Sequence, residues 1–226
     1  MFVNALRSTP GRISRYLDRQ HRWWKFDRAM RRFVGSLAGP DLSLNLLGEL
    51  VANWNNTWSA QVEYIRAFLQ AARQAPGPIL ECGSGLSTLL LGAIAERTGQ
   101  CVWSLEHEPA WLDKVERSLA RYEINSVTLC LSPLIDYGPY AWYEPPLSKM
   151  PVDFALIVCD GPPGSTRGGR YGALPVMKSR CRPGCTVLLD DASRPSEQVV
   201  LQRWAAELGA PFAIEGETKP YGRVTL

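Results

Sequence analysis

At 226 residues, 46% hydrophobic and a net charge of +3, the chain can bury the core of one domain that carries an extension. It holds no apolar run near the ~18 residues that a membrane span needs, and it opens without the compact apolar segment of a secretory signal. A cytoplasmic protein, free or peripheral to a membrane, is expected, with the cysteines at 82, 101, 130, 159, 181 and 185 as reduced thiols.

The charge is uneven. Residues 1–35 hold nine basic residues and two acidic ones, a net +7 that leaves −4 for the remainder. The acidic remainder gives nucleic acid no support as a partner. Residues 12–37 read as a helix, because Phe26, Met30, Phe33 and Leu37 recur at helical spacing with arginines between them. Three readings of this basic arm stand open: a helix docked on the catalytic domain or on a second subunit, a helix lying on an anionic membrane surface, and a solvated face without a partner. Gly39-Pro40 breaks the pattern, a second helical stretch covers about 42–52, and a polar-aromatic cluster follows, Trp54-Asn55-Asn56-Thr57-Trp58. Residues 1–58 thus form a basic helical extension. A helix from about Ser59 to Ala75, apolar along Val62, Ile65, Leu69 and Ala72, opens a domain spanning 59–226.

Pro76-Gly77-Pro78 then launches a short apolar run, Ile79-Leu80-Glu81-Cys82, which ends in Gly83-Ser84-Gly85. Leu86, Leu89, Leu90, Ala93 and Ile94 follow at the spacing of one helical face. Strand, glycine turn and helix in that order make a junction for nucleotide-like ligands, with Gly83 and Gly85 allowing a backbone path that a Cβ would obstruct. Ser84, Ser87 and Thr88 offer polar groups at the turn. The next strand candidate, Cys101 to Glu106, ends in an acid placed to accept hydrogen bonds from ribose hydroxyls, and His107 beside it can flank an adenine. A dinucleotide and S-adenosylmethionine both fit this plan. Thr88 stands where a dinucleotide fingerprint has its third glycine, and Glu81 suits a cationic sulfonium better than a pyrophosphate. The methyl donor is the preferred ligand.

From residue 78 the pattern alternates strand and helix, which implies a parallel sheet covered on both faces. A helix opened by Pro109 buries Leu112, Val115, Leu119 and Tyr122; strands follow at Val127–Leu131 and Phe154–Cys159. A helix around 171–181, a strand at Cys185–Leu189, a helix through Val200, Trp204 and Leu208, and strands at Phe212–Glu215 and Arg223–Leu226 complete the domain. Two successive apolar strands end in acids, Asp160 and Asp190-Asp191. Ligands of open parallel sheets bind beyond the carboxyl ends of the strands, so these acids should meet beside the glycine turn. Crowded carboxylates need a cation or a proton, and their hard oxygens suit Mg²⁺ or another hard divalent ion. The competing account makes Asp160 a turn residue and Asp191 a helix cap.

Glu81-x-Gly83-x-Gly85, Glu106, Asp160 and Asp190-Asp191 together resemble the class I S-adenosylmethionine-dependent methyltransferases, most of all the metal-dependent O-methyltransferase branch of catechol and antibiotic-sugar enzymes. The resemblance covers residues 59–226. It implies a Rossmann-like, seven-stranded, mostly parallel sheet with the last strand antiparallel. It implies the donor bound by Glu81, Gly83, Ser84, Gly85, Ser87, Thr88, Glu106, His107 and Asp160. It also implies Mg²⁺ or another hard divalent ion on Asp160, Asp190 and Asp191, which would then be the catalytic residues. The pattern departs from that branch at Pro162 and Pro163, where its general base would stand, so the base is unassigned. Asp160-Gly161-Pro162-Pro163 also differs from the Asp-Pro-Pro-Tyr of amino-group enzymes.

Acceptor contacts are expected from loops above the sheet: Tyr140, Trp142 and Tyr143 in the 132–150 segment, with Arg170, Lys219 and Tyr221 at other strand ends. The reading is methyl transfer to a hydroxyl of a small molecule or glycan. Its rivals are an NAD-type oxidoreductase and a catalytically silent methyltransferase-like subunit recruited by the basic arm.

Overall fold

The computed structural model describes residues 10–39, 41–54, 56 and 59–226; Pro40, Asn55, Thr57, Trp58 and the first nine residues, Arg7 among them, lie outside the described residues. The chain divides into two compact units, Met1–Thr57 and Trp58–Leu226.

The first unit is a helix pair. Helix α1 (Pro10–Ser36) and α2 (Leu44–Trp54) pack together, with Phe26, Met30 and Phe33 of α1 and Leu47 and Leu50 of α2 buried. The Phe26 and Trp54 rings lie 5.3 Å apart, and Arg32 pairs with Glu49 at 2.7 Å. The apolar spacing read from the sequence is thus the face that α1 turns to α2. Leu17 and Trp24, on its other side, are exposed, and Arg28 stacks over Trp24.

The second unit begins with α3 (Val62–Gln74) and continues as β1 (Ile79–Cys82), α4 (Leu86–Thr98), β2 (Val102–Glu106), α5 (Pro109–Arg121) and β3 (Val127–Leu131). Then come the short strands β4 (Leu134–Asp136) and β5 (Ala141–Tyr143), β6 (Phe154–Cys159), α6 (Ala173–Met177), β7 (Cys181–Leu189), α7 (Pro195–Leu208), β8 (Phe212–Glu215) and β9 (Tyr221–Thr225). Seven strands form one sheet in the order β3-β2-β1-β6-β7-β9-β8; only β9 runs against its neighbours. This is the expected doubly wound sheet with an antiparallel last strand. β1 and β6 are buried at every residue, as central parallel strands must be. The order reverses between β1 and β6, and that is where such sheets bind ligands.

Four local differences have physical causes. Helix α4 is buried all round from Leu86 to Ala95 rather than along one face, because α3, α5 and the sheet all pack on it. The helix expected over 171–181 is cut to Ala173–Met177 and a 3-10 turn, since Cys181 already pairs with Phe154 in β7. That strand therefore starts four residues before the expected Cys185, and residues after Cys181 bulge out around Gly184, at φ +81°, before pairing resumes at Thr186. The aromatic segment 132–150 holds an antiparallel hairpin, β4 with β5, too short to leave an alternating pattern in the sequence.

Candidate active site

The glycine turn after β1 is built around an inward-facing acid. Glu81 is wholly buried; its Oε2 accepts from the hydroxyls of Ser104, at 2.5 Å, and Thr88, at 2.6 Å. Thr88 Oγ1 in turn accepts the Gly85 N–H at 2.7 Å, which closes the turn onto the first turn of α4. Burial pushes the Glu81 carboxyl up to about 7 against the pull of these hydroxyls. Its Oε1 is buried with no hydrogen-bond partner. Gly85 is buried and its N–H is taken by Thr88, but a Cβ there would meet no atom within 4 Å, so the turn leaves space beside it.

Gly83 serves a different purpose from the one its spacing suggests. At φ +92°, its missing Cβ would stand 2.9 Å from the Gly161 nitrogen and 3.0 Å from its Cα. The turn after β1 is therefore packed against the residue that follows Asp160. Gly161 makes the reciprocal fit: a Cβ there would collide with Gly83 and with the Tyr143 hydroxyl. Both glycines are needed where the two central strand ends touch.

Glu106, at the end of β2, faces the same turn. Its carboxylate accepts from the Ser84 hydroxyl at 2.9 Å and the backbone N–H groups of Ser84, His107 and Glu108 at 3.2, 2.8 and 2.9 Å. His107 lies across from it, Nδ1 to Oε1 3.1 Å, and sets its ring edge-on to Tyr143 at 6.0 Å. Glu106, His107, Tyr143, Gly161 and Gly83 thus form one continuous wall from the β2 end to the β6 end. Trp111 closes the outer side of the turn, its Nε1 donating to the Ser84 carbonyl at 2.8 Å.

Asp160, Asp190 and Asp191 converge as expected, with one carboxylate oxygen from each within 4.8 Å of the others. Two devices place them. Tyr64, buried on α3, accepts the Cys159 N–H at 3.0 Å and donates to the Leu188 carbonyl at 2.9 Å, so its hydroxyl bridges β6 and β7 just below the acids. Asp191 adopts φ +62° and does not cap α7, whose N-cap position falls at Arg194 with no side-chain cap.

The cluster carries its own cations. Arg170, 3% exposed, donates through Nη2 to Asp160 Oδ1 at 3.1 Å and to Asp191 Oδ2 at 2.9 Å, and through Nη1 to the Asp190 carbonyl at 2.7 Å. Lys219 Nζ lies 3.1 Å from Asp190 Oδ2 and 2.9 Å from Asp191 Oδ1, and Arg194 adds a contact of 2.9 Å to Asp191 Oδ2. Burial pushes the Asp160 carboxyl well above the ordinary range, only partly opposed by Arg170. Burial also pushes Asp191 upward, but Arg170 and Lys219 outweigh it and hold that carboxyl below its usual value. Three carboxylates suit a hard divalent ion by chemistry. With each of them already ion-paired, the arrangement as it stands does not fit one.

Glu197, which sequence reasoning passed over, is buried behind this cluster with neither oxygen hydrogen-bonded, and burial raises its pKa. As an acid in the first turn of a helix it carries no signal in the sequence beyond favourable placement. The residues expected to touch the acceptor are scattered. Arg170 and Lys219 are the ion-pair partners just described. Trp142 is wholly buried against Gly172 and presents no face to a ligand. Tyr143 is buried in the wall, and the Tyr221 hydroxyl donates to Glu215 at 2.8 Å. Tyr140 is half-buried, stacked on Tyr137 at 5.3 Å and edge-on to Tyr171 at 5.1 Å.

No protein-family model matches the chain, and no curated protein matches its sequence significantly. Solved structures do match its fold. A putative caffeoyl-CoA O-methyltransferase from Staphylococcus aureus aligns with a TM-score of 0.61 at 11% identity, over 87% of this chain and 98% of that one. A precorrin-6y C5,15-methyltransferase from Geobacter metallireducens aligns at 0.56 and 14%, over 76% and 91%. A putative methyltransferase from Streptococcus mutans, solved in complex with SAH, aligns at 0.50 and 13%, over 71% and 96%. The chain has the class I methyltransferase fold.

Proposed function

We propose that this chain is an S-adenosylmethionine-dependent methyltransferase acting on a hydroxyl of a small molecule or glycan. The observation that carries the reading is the contact of Gly83 with Gly161, which sets the glycine turn and Asp160 side by side at the reversal of the strand order. The methyltransferases that share this fold, one of them solved with SAH, lend further support.

The bound donor would supply an electrophilic methyl group. The residues present fit it: the turn leaves space beside Gly85, the Glu106 carboxylate stands at the end of β2, and His107 and Tyr143 wall the space towards Asp160. Glu81 shapes the turn from within. Asp160 takes the role of base. Arg170 fixes one of its oxygens, the side chain keeps 18% of its exposure, and burial raises its pKa above the ordinary carboxylate range, the direction that makes it a stronger base. The acceptor side is assigned to Tyr140 and the neighbouring half-buried Tyr137, whose stacked rings suit an aromatic ring or sugar. Mg²⁺, expected from the resemblance, has no part in this reading.

Transfer of labelled methyl groups to a panel of hydroxyl, thiol and amine acceptors tests it. The hydroxyl acceptors should be labelled, and Asp160→Asn should lower that rate by about 10²-fold or more with SAH affinity retained. Labelling confined to thiols or amines, or an undiminished rate in the variant, would count against it.

A further inference from the structure

The oxygens of Asp160, Asp190 and Asp191 within 4.8 Å of one another match the roughly 4–5 Å that two metal–oxygen bonds would span. In this chain that space already faces an ammonium and a guanidinium. We propose that Lys219, seconded by Arg170, stands in the place of a divalent cation, so that the acidic cluster is complete without a metal ion and the lysine keeps one out.

The oxygen inventory supports this. Asp190 Oδ1 accepts the Asp191 N–H at 2.8 Å and Oδ2 meets Lys219; Asp191 Oδ1 meets Lys219 and Oδ2 meets both Arg170 and Arg194. Asp160 Oδ1 is held by Arg170, which leaves Asp160 Oδ2 without a protein donor among the described residues. One oxygen does not make a site for an ion that wants six or more oxygen ligands at close range. The charges agree: Asp160, Asp190 and Asp191, with Glu197 behind them, face Arg170, Lys219 and Arg194, so a divalent ion would add more positive charge than the one remaining carboxylate offsets at a largely buried place.

Lys219 is also delivered by a fixed support. The turn between β8 and β9 donates the N–H groups of Glu217, Thr218 and Lys219 to one oxygen of Glu63, at 3.1, 3.1 and 3.4 Å. Glu63 sits in the first turn of α3, two residues after its N-cap, and the same helix carries Tyr64 under the acids. One helix start therefore sets the spacing of the carboxylates and the position of the cation that joins them. The cluster stands in this form whichever acceptor is methylated.

Manganese titration of the full chain, stripped of metal by chelation and followed by electron paramagnetic resonance, tests this directly. Wild-type protein should leave Mn²⁺ free into the millimolar range. Lys219→Ala should bind it at least about tenfold more tightly, and adding Asp190→Asn should abolish that gain. Micromolar binding by the wild type would overturn the proposal, and so would a folded Lys219→Ala variant that binds no better. Thermal melts establish that the variants are folded; should Lys219→Ala fail to fold, Lys219→Gln takes its place, and the wild-type titration still decides against the proposal if it binds.

Discussion

At the scale of single residues, Glu81 is the point where energetics and function meet. A buried carboxyl with its pKa raised to about 7 is protonated in the fold at pH values where the unfolded chain, near the ordinary 4.5, has already released the proton. The unfolded state then binds fewer protons, so stability falls as pH rises from about 4.5 to 7 and levels off above. The span corresponds to about 3 kcal/mol. Glu81→Gln keeps an oxygen for Ser104 and Thr88 without a charge to bury. Urea unfolding at pH 5 and pH 8 should show wild type losing more stability at the higher pH than the variant, in which Asp160 and Glu197 still contribute; an equal loss in both would refute the buried, neutral carboxyl. The existence of this acid was legible in the sequence from its place before two glycines. Its direction was not, because the hydroxyl of Ser104 that draws it inward comes from the next strand. Lys219 was equally visible as a residue and hidden as a partner: its carboxylates lie 28 and 29 positions away, and only the sheet order brings them together.

At the scale of elements, the two central strand ends are fitted to each other glycine to glycine. Alanine at Gly83 combines a backbone at φ +92° with a Cβ within 3.0 Å of the Gly161 backbone. We expect Gly83→Ala to destabilise the fold by about 2–4 kcal/mol, read from urea unfolding. A loss under about 0.5 kcal/mol would mean that the strand ends are not packed in this way. Elements with a strong local period were legible: the β1 turn with α4, the all-apolar β6, and the helix α1, though not α2 as the partner of its apolar face. What escaped were features decided by partners. The bulge in β7 answers to its pairing with β6, and the β4–β5 hairpin is three residues a side. The aromatic residues expected to meet an acceptor illustrate the limit well, since Trp142 and Tyr143 are as apolar as they are ring-shaped, and burial claimed them.

At the scale of the whole molecule, charge and ligand site are separated along the chain. The +7 of residues 1–35 precedes a remainder of opposite sign, and α1 keeps Leu17 and Trp24 exposed among its basic residues. Among the described residues no helix is long and apolar enough to cross a membrane. The parallel winding of the sheet was legible because strands and helices alternate, whereas the seven strands and the antiparallel last one came only from the resemblance, and the strand order had no signal in the sequence. The acceptor was not, because one sheet of this kind hosts many chemistries and the loops that choose among them have no period to read. Cofactor preference is what separates methyl transfer from its oxidoreductase rival. Calorimetry of the full chain with S-adenosylhomocysteine and with NAD, each with and without Mg²⁺, addresses it: saturable binding of the homocysteine compound, unchanged by the metal and absent for NAD, is the predicted result, while binding of NAD alone would contradict it.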